Sequence, residues 1–305
     1  MKLTILALLS TFCYIFYIRY FSKMKQYERQ LGLESHKKKN GTITAGGLFF
    51  AFLPFCFCNY TSKVIPIVLC SGLFAILGFI DDFFIIKFKK NDGIPANLKL
   101  LFQVIISAIA FYFYLKLDMP TSISFFGYDI NIKWVYGMLI LFILVASTNA
   151  FNLTDGIDGL CGGISLLMGI PFYFVAILKG EYEISFIILS LEITLFVFWC
   201  FNFPKAYLFM GDTGSLFLGA FYAMVGIILN ELSMFFVLAL PYVFETLSVI
   251  IQVLYFKLTK GKRFFKMAPF HHHLEEKGYS ELKIDLIFYM IELFLILIVY
   301  VFKIY

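Results

Sequence analysis

The chain has 305 residues, of which 61% are hydrophobic and 15% are charged, and its mean hydropathy is +0.87. This composition excludes a water-soluble globular domain and is typical of a membrane protein with several spans. The net charge of +5 does not require nucleic acid as a partner. Membrane topology, anionic lipid head groups and a polyanionic substrate account for it.

Ten apolar runs are long enough to cross a bilayer as helices, which takes about 20 residues each. We therefore predict an all-α, polytopic integral membrane protein that forms a single domain over residues 1–305. No small-residue cleavage site follows the first run, which favours a retained helix over a signal peptide. The weakest spans contain Pro54 and Glu192. The ten predicted spans are residues 3–21, 45–61, 64–84, 98–116, 134–151, 159–178, 183–201, 213–230, 233–256 and 284–302.

Basic residues predict the orientation of these spans. Nineteen of the 25 lysines and arginines lie in, or flank, the connections between spans 1–2, 3–4, 5–6, 7–8 and 9–10. The positive-inside rule assigns those connections to the cytoplasm and both termini to the other side. Five aspartates and a histidine triplet fall in the same set of connections, although the charge count did not use them. We therefore expect one active site on the cytoplasmic face.

The first two polar motifs lie before the second span and at the end of the third. In SHKKKNGTITAGG, Lys39 and Thr44 could contact a phosphate or nucleotide, or the segment could serve only as a basic anchor and turn. In GFIDDFF, one of Asp81 and Asp82 could bind a metal ion while the other acts as a base or orients a phosphate. The alternative is a solvated helix end whose charge Lys87 offsets.

The connection NAFNLTDGIDGL carries Asn152, Asp155 and Asp158 with a glycine after each aspartate. Glycine lets a ligand approach the backbone closely. Thr154 or Asp155 could cap the sixth span and leave free N–H groups for an anion or a nucleobase edge. A capped turn with two solvated aspartates is the alternative, but it does not require so many polar side chains.

The connection FNFPKAYLFMGDTGS places Asp212 at the start of the eighth span, where the helix dipole stabilises negative charge. Phe209 is placed to stack on a planar base. A simple N-cap would explain Asp212, but it would not explain Asn202 and the flanking glycines. Clustered carboxylates repel each other unless a cation neutralises them, and oxygen ligands of this kind suit Mg²⁺ bound together with phosphates.

Two further groups lie near the C-terminal end of the chain. Glu245, Ser248 and Gln252 share one face of the ninth span, either for function or for hydrogen bonds between helices. The triplet His271, His272 and His273 follows a basic loop and could line a phosphate pocket. An exposed polar loop is the alternative.

Together these motifs resemble the polyprenyl-phosphate N-acetylhexosamine-1-phosphate transferases over residues 36–284. The histidine triplet and ETLSVIIQV are most similar to the branch that uses UDP-MurNAc-pentapeptide. The resemblance implies a homodimer in the bacterial inner membrane. It also implies Mg²⁺-dependent transfer of phospho-MurNAc-pentapeptide to undecaprenyl phosphate, which gives lipid I and UMP during peptidoglycan synthesis. A transferase that uses UDP-GlcNAc remains the alternative.

By motif position, the resemblance implies that Asp212 binds Mg²⁺. It implies that Asp81 deprotonates or aligns the lipid phosphate, with Asp82 beside it, and that Lys99 holds phosphate. His272 is expected to take part in catalysis, and Asp158, with the backbone of Gly156 and Ile157, to bind uracil. The remaining expected substrate-binding residues are Lys39, Thr44, Asn152, Asp155, Asn202, Phe209, Gln252, His271 and His273.

The sequence departs from the family pattern in two places. GTITAGG carries Ile43 and Ala45 where the family has proline and methionine, so a turn loses a proline. Ile85 replaces a lysine commonly found three residues after the second aspartate, and Lys87 could serve instead.

Overall fold

The computed structural model describes residues 1–21, 42–88, 93–125 and 128–302. Within those ranges nine helices are long and apolar enough to cross a membrane, and an all-α polytopic membrane fold is confirmed. They are α1 (Lys2–Tyr20), α3 (Val64–Phe88), α4 (Ala96–Lys116), α5 (Val135–Thr154), α6 (Leu160–Leu178), α7 (Tyr182–Asn202), α8 (Gly211–Ile228), α10 (Leu240–Leu258) and α12 (Glu281–Val301).

The shorter elements account for the differences from the predicted spans. They are α2 (Gly47–Phe52), a 3-10 turn (Pro54–Cys56), α9 (Leu232–Leu238), α11 (Phe270–Glu275), and an antiparallel hairpin of β1 (Ser122–Phe125) and β2 (Tyr128–Asn131). The sequence did not predict the hairpin. Because proline lacks an N–H group and clashes with the preceding turn, Pro54 ends α2 and Pro241 separates α9 from α10.

The second predicted span therefore lacks a long helix, although the chain still runs from one end of the bundle to the other. Gly46 donates its backbone N–H to Phe209 O at the end where α8 begins. At the opposite end, Asn59 Nδ2 donates to Glu183 Oε1 at 2.9 Å, and Lys63 pairs with Glu181. Residues 47–63 cover this distance with one short helix, a 3-10 turn and irregular chain.

Helix α8 lies at the centre of the bundle, and all of its residues from Thr213 to Ile228 are buried. Its neighbours approach very closely: the α3 backbone at Gly78 is so near that an added Cβ atom would collide with the backbone of Asp212. A Cβ on Gly47 of α2 would likewise collide with the backbone of Gly214. Small residues permit such contacts between membrane helices, where van der Waals packing replaces the hydrophobic effect. The start of α8 is thereby held against α2 and α3.

The described parts of the predicted polar connections lie at the end of the bundle where α8 begins. This follows from the contacts of Asp82 with the start of α8, of Asn202 with the start of α6, and of Glu245 with α11. Which end faces the cytoplasm stays a prediction.

Candidate active site

Asp82 binds the first turn of α8 across the helix interface. Its Oδ1 accepts a hydrogen bond from the Asp212 backbone at 3.0 Å, and its Oδ2 accepts from Thr213 N at 3.0 Å and Thr213 Oγ1 at 2.6 Å. N–H groups in a first helical turn have no partner within the helix, so this carboxylate caps α8 from another helix. Gly211 has φ of +69°, and a Cβ there would lie 2.5 Å from Asp82 Oδ2.

Asp81 and Asp212 converge on one ammonium group. Lys99 Nζ lies 3.0 Å from Asp81 Oδ2 and also pairs with Asp212 Oδ2. The second oxygen of Asp212 accepts from Asn152 Nδ2 at 2.7 Å, and the second oxygen of Asp81 accepts from Ile94 N. We call Asp81, Lys99, Asn152 and Asp212 the acid cluster.

The acid cluster is partly open to the outside of the protein. The Asp212 side chain is 21% exposed and that of Lys99 17%, whereas that of Asp81 is 8% exposed. Four different helices, α3, α4, α5 and α8, each supply one residue. A ligand can therefore reach the carboxylate of Asp212 without unfolding a helix.

A second polar region, residues 155–159, follows directly on α5, and we call it the aspartate loop. Asp158 Oδ2 accepts from Ala206 N at 2.9 Å, and Asp158 N donates to Glu281 Oε2 at 3.2 Å. Asn202 Oδ1 accepts a hydrogen bond from Gly159 N at 2.8 Å, and Asn202 Nδ2 donates to Leu208 O at 3.0 Å. These bonds fix the loop against the chain that leads to Phe209.

The expected cap on the sixth predicted span is wrong. Helix α6 begins at Leu160 with Gly159, which has φ of +89°, as its N-cap residue, so neither Thr154 nor Asp155 stands at the cap position. Asp155 instead ends α5, with its N–H bonded to the α5 carbonyls, and is half-buried. Only one turn of α5 separates Asn152 in the acid cluster from Asp155 in the aspartate loop.

Thr44 and Phe209 lie in two segments that pair with each other, and Asn202 joins the second segment, at Leu208, to the aspartate loop. Phe209 N donates to Ile43 O at 2.8 Å, and the Thr44 carbonyl accepts from Tyr17 Oη at 2.9 Å. Phe209 remains half-buried, whereas Thr44 and Ile157 are buried. Lys39 lies outside the described residues.

The histidine triplet forms helix α11 and is held by Glu245 of α10. The carboxylate of Glu245 accepts from Phe270 N at 2.7 Å and from His271 N at 3.2 Å, and it lies 3.2 Å from His271 Nδ1. Both side chains are fully buried. Among the residues that the structure describes, His271 Nε2 has no hydrogen-bond partner, and it lies against Gly156, where a Cβ would collide with it.

His272 and His273 face other partners. His272 Nδ1 lies 2.7 Å from Glu275 Oε2, and His273 Nδ1 accepts from Lys266 N at 3.0 Å. Burial, together with the nearby Lys277 and Lys266, lowers the pKa of His273 below its usual 6.5. A neutral ring suits its role as an acceptor.

Gln252 fixes the basic loop that precedes α11. Its Oε1 accepts from Phe264 N at 3.1 Å and Phe265 N at 2.9 Å, while Nε2 donates to Phe265 O at 3.1 Å. The sequence predicted that Gln252 lies near a ligand, but it did not predict these bonds to the backbone.

Three residues that contact the site, Ile94, Ala206 and Glu281, were not predicted from the sequence. Ile94 and Ala206 act through backbone N–H groups, which carry no side-chain signature.

The oxygen ligands at the acid cluster fit Mg²⁺. The part of the chain that the structure describes holds no group of three His, Cys, Asp or Glu side chains placed to bind a metal. Asp81 and Asp212 nevertheless turn two carboxylate oxygens toward one cation, the Lys99 ammonium. One or two carboxylates completed by phosphate and water are the usual protein ligands of Mg²⁺.

Comparison with known proteins identifies relatives over nearly the whole chain. Residues 64–230 match the family described as glycosyl transferase family 4. The phospho-N-acetylmuramoyl-pentapeptide-transferase of Enterococcus hirae is 38% identical over 288 residues, covering 91% of this chain and 89% of the relative. The protein of the same name from Staphylococcus saprophyticus is 39% identical over 307 residues, covering 95% of each. That from Acetivibrio thermocellus is 38% identical over 282 residues, covering 90% of this chain and 85% of the relative.

Proposed function

Because the chain belongs to glycosyl transferase family 4 and, within it, to the phospho-N-acetylmuramoyl-pentapeptide transferases, we propose that it makes lipid I. It transfers phospho-MurNAc-pentapeptide from UDP-MurNAc-pentapeptide to undecaprenyl phosphate and releases UMP. The names of the relatives favour this substrate over UDP-GlcNAc. The observation that carries the chemistry is the convergence of Asp81 and Asp212 on the Lys99 ammonium.

The reaction joins two anions, so charge neutralisation is its main requirement. An oxygen of the lipid phosphate attacks the sugar-linked phosphorus, and the bond from that phosphorus to the oxygen of UMP breaks. Asp81 aligns the lipid phosphate or takes its proton, and Lys99 donates hydrogen bonds to phosphate oxygens. Mg²⁺ held by Asp212 would supply Lewis-acid stabilisation of the charge that develops on UMP.

The aspartate loop is the proposed uridine site. Asp158 and the Gly156–Ile157 backbone would bind the uracil edge, and Phe209 would stack on the ring. The bonds from Asn202 and Ala206 give this loop a fixed shape. Asn152 links it to the acid cluster, so the base and the pyrophosphate of one nucleotide can occupy the two regions together. His271, His272, His273 and Gln252 would border the sugar and phosphate path.

A covalent phospho-aspartate intermediate is the competing mechanism. It predicts exchange of labelled UMP into UDP-MurNAc-pentapeptide in the absence of lipid. Direct attack predicts no such exchange from enzyme that is active when undecaprenyl phosphate is added.

The decisive assay is UMP release by the purified full-length chain in detergent. Undecaprenyl phosphate and Mg²⁺ would be supplied with UDP-MurNAc-pentapeptide or UDP-GlcNAc in separate reactions. Turnover with the muramyl substrate alone, lost in Asp212→Asn, is the expected result. Turnover with UDP-GlcNAc alone would move the chain to the sister branch, and no turnover with either substrate would refute the proposed reaction.

Three properties of the proposed enzyme need separate tests. EDTA should abolish UMP release and Mg²⁺ should restore it. A cysteine introduced at Lys262 should react with impermeant reagents only from the cytoplasmic side of the bacterial inner membrane. The expected homodimer should appear as twice the chain mass of 35.2 kDa by native mass spectrometry.

A further inference from the structure

Helix α12 contacts the last residue of the aspartate loop through a tyrosine hydroxyl. Tyr289 Oη donates to Gly159 O at 2.8 Å and accepts from Trp199 Nε1, on α7, at 3.2 Å. The same carbonyl accepts from Gly163 N, in the first turn of α6, at 2.8 Å. One hydroxyl therefore joins three helices at the point where the aspartate loop ends.

Two glycines make room for this contact. A Cβ on Gly163 would lie 2.1 Å from Tyr289 Oη, so the tyrosine ring lies directly on the α6 backbone. A Cβ on Gly159 would lie 2.5 Å from the ring of Phe203, which stacks on Trp199 with 4.5 Å between ring centroids. Close packing of rings on bare backbone therefore determines where the hydroxyl of Tyr289 lies.

Side chains bind three neighbouring backbone groups of the aspartate loop. Asp158 N donates to Glu281 Oε2 at 3.2 Å. Gly159 N donates to Asn202 Oδ1 at 2.8 Å, and Gly159 O accepts from Tyr289. Glu281 and Tyr289 both belong to α12 and lie about 12 Å apart along its axis at 1.5 Å per residue. The position of α12 therefore sets the path of the backbone from Asp158 to Gly159.

We infer that Tyr289 is a positioning residue for the nucleotide, because its hydroxyl holds the aspartate loop in the shape that recognises the uracil edge. The inference rests on the proposed function, in which Asp158 and the Gly156–Ile157 backbone bind uracil. Tyr289 acts through Gly159, which directly follows Asp158. Hydrogen bonds weaken steeply when donor and acceptor directions change, so a fixed backbone is what distinguishes one base edge from another.

The first test removes two hydroxyl groups from the same helix in separate variants. Tyr289→Phe should raise the Kd of UMP about fivefold, the effect of losing one hydrogen bond. The KM for UDP-MurNAc-pentapeptide should rise by the same factor at nearly constant kcat, because the lost interaction acts on binding. The KM for undecaprenyl phosphate should stay the same. Tyr300→Phe is the matched control, since Tyr300 is 72% exposed, and it should change none of these values.

Equilibrium dialysis of labelled UMP against the full-length chain in detergent with Mg²⁺ measures this Kd. A purely structural role would lower the thermal unfolding midpoint and the bound fraction without changing the Kd. That result, or equal effects of the two tyrosine variants, would overturn the inference. Absence of UMP binding by the wild-type chain would overturn it as well.

Two adjacent glycines in α6 provide a second matched pair. Gly163→Ala places a methyl group against the ring of Tyr289, whereas a Cβ on Gly162 would have its nearest neighbour, in Trp199, at an ordinary contact distance of 3.5 Å. Gly163→Ala should raise the Kd of UMP at least as much as Tyr289→Phe, and Gly162→Ala should leave it within about twofold. Combining Gly163→Ala with Tyr289→Phe should add little, because both act on one contact. Equal effects of the two alanines, or fully additive losses, would contradict the inference.

The ratio of the Kd values of UMP and CMP tests the shape of the loop. Cytosine carries the N4 donor where uracil carries the O4 acceptor, whereas stacking on Phe209 is common to both bases. The wild-type chain should prefer UMP, and Tyr289→Phe should narrow the ratio. A ratio that stays constant while both Kd values rise would refute the positioning role.

Binding of UMP does not require turnover, so the inference and the proposed reaction can fail separately. Binding of UMP that depends on Tyr289, with no UMP release from either nucleotide sugar, would refute the reaction and support the inference. Turnover of UDP-MurNAc-pentapeptide with the same KM in Tyr289→Phe and the wild type would support the reaction and overturn the inference.

Discussion

The acid cluster and the aspartate loop lie at the same end of the bundle, but their polar groups have different kinds of partner. In the acid cluster, most partners are side chains, and two carboxylates share the Lys99 ammonium, although Asp81 also accepts from the backbone N–H of Ile94. In the aspartate loop, Asp158 and Asn202 bind backbone N–H and C=O groups. The cluster can exchange its cation for a metal ion or a phosphate partner, whereas the loop keeps one shape.

The adjacent residues Asp81 and Asp82 repeat this contrast within one helix turn. Asp82 accepts three hydrogen bonds from the start of α8, and Asp81 faces Lys99. A pair that reads as one motif therefore divides into a structural carboxylate and a reactive one. Mutations can test this contrast, because loss of the reactive group should reduce activity and loss of the structural group should reduce stability.

The largest effect is expected from Lys99→Met, which removes the ammonium that both carboxylates share. The kcat for UMP release should fall by about 10²–10³-fold, the typical effect of losing one charge-stabilising donor. Lys63→Met, which removes an ion pair at the other end of the bundle, should keep activity within about twofold because that pair is partly exposed to solvent. Equal losses in both variants would contradict the role of the acid cluster.

Asp82→Ala should mainly reduce stability. Three donors at the start of α8 would lose their acceptor, which lowers the free energy of unfolding by about 3 kcal/mol. Asp81→Asn should instead reduce turnover and leave the thermal unfolding midpoint nearly unchanged, since an amide oxygen can still accept from Ile94 N. Parallel thermal and UMP-release measurements would separate the two roles, and the comparison fails if both variants lose the same property.

Glu245→Ala should cause a smaller loss, because it acts through His271. Without the carboxylate, Phe270 N and His271 N lose their acceptor and α11 is no longer fixed against Gly156. The kcat/KM for the nucleotide sugar should fall about tenfold, in line with a lost buried charge-assisted bond. Glu245→Gln keeps one acceptor oxygen and should retain most of that activity; a Gln variant as impaired as Ala would show that the charge itself matters.

The smallest effect is a pH-dependent loosening of the basic loop. The folded state favours neutral His273, because its pKa is lowered from 6.5. Its contribution to stability is complete above pH 6.5 and is lost as the pH falls through the lowered pKa. Protonation of Nδ1 removes the acceptor for Lys266 N. Hydrogen exchange at that amide, corrected for the intrinsic pH dependence, should speed up on acidification, and His273→Phe should abolish the change.

Most of the bundle follows from the sequence because about 20 apolar residues have few alternatives to a helix in a membrane. Eight of the ten predicted spans match single long helices, and even Glu192 lies within one, where it accepts from Tyr222 Oη at 2.6 Å. The two exceptions contain Pro54 and Pro241. Hydropathy averages over a window, so it detects the apolar run but not the residue at which the helix breaks.

The sequence predicted which residues form the candidate site better than it predicted their hydrogen-bond partners. The polar motifs were grouped at one end by their charge pattern, and the structure brings Asp81, Lys99, Asn152 and Asp212 together there. The partners of Asp82, Gln252 and Glu245 could not be predicted, since each side chain binds backbone N–H groups in a different helix or loop. Such donors are present at nearly every residue and leave no mark on the sequence.

The sequence by itself determined that this protein resides in a lipid bilayer. It also determined the number of apolar segments and the carboxylates that lie between them, because hydrophobicity and charge are properties of single residues. Tertiary structure decided which carboxylate caps α8 and which shares Lys99. It did so through the close approach of Gly78 to the Asp212 backbone, which leaves Asp82 beside the unpaired N–H groups of α8 and turns Asp81 toward α4.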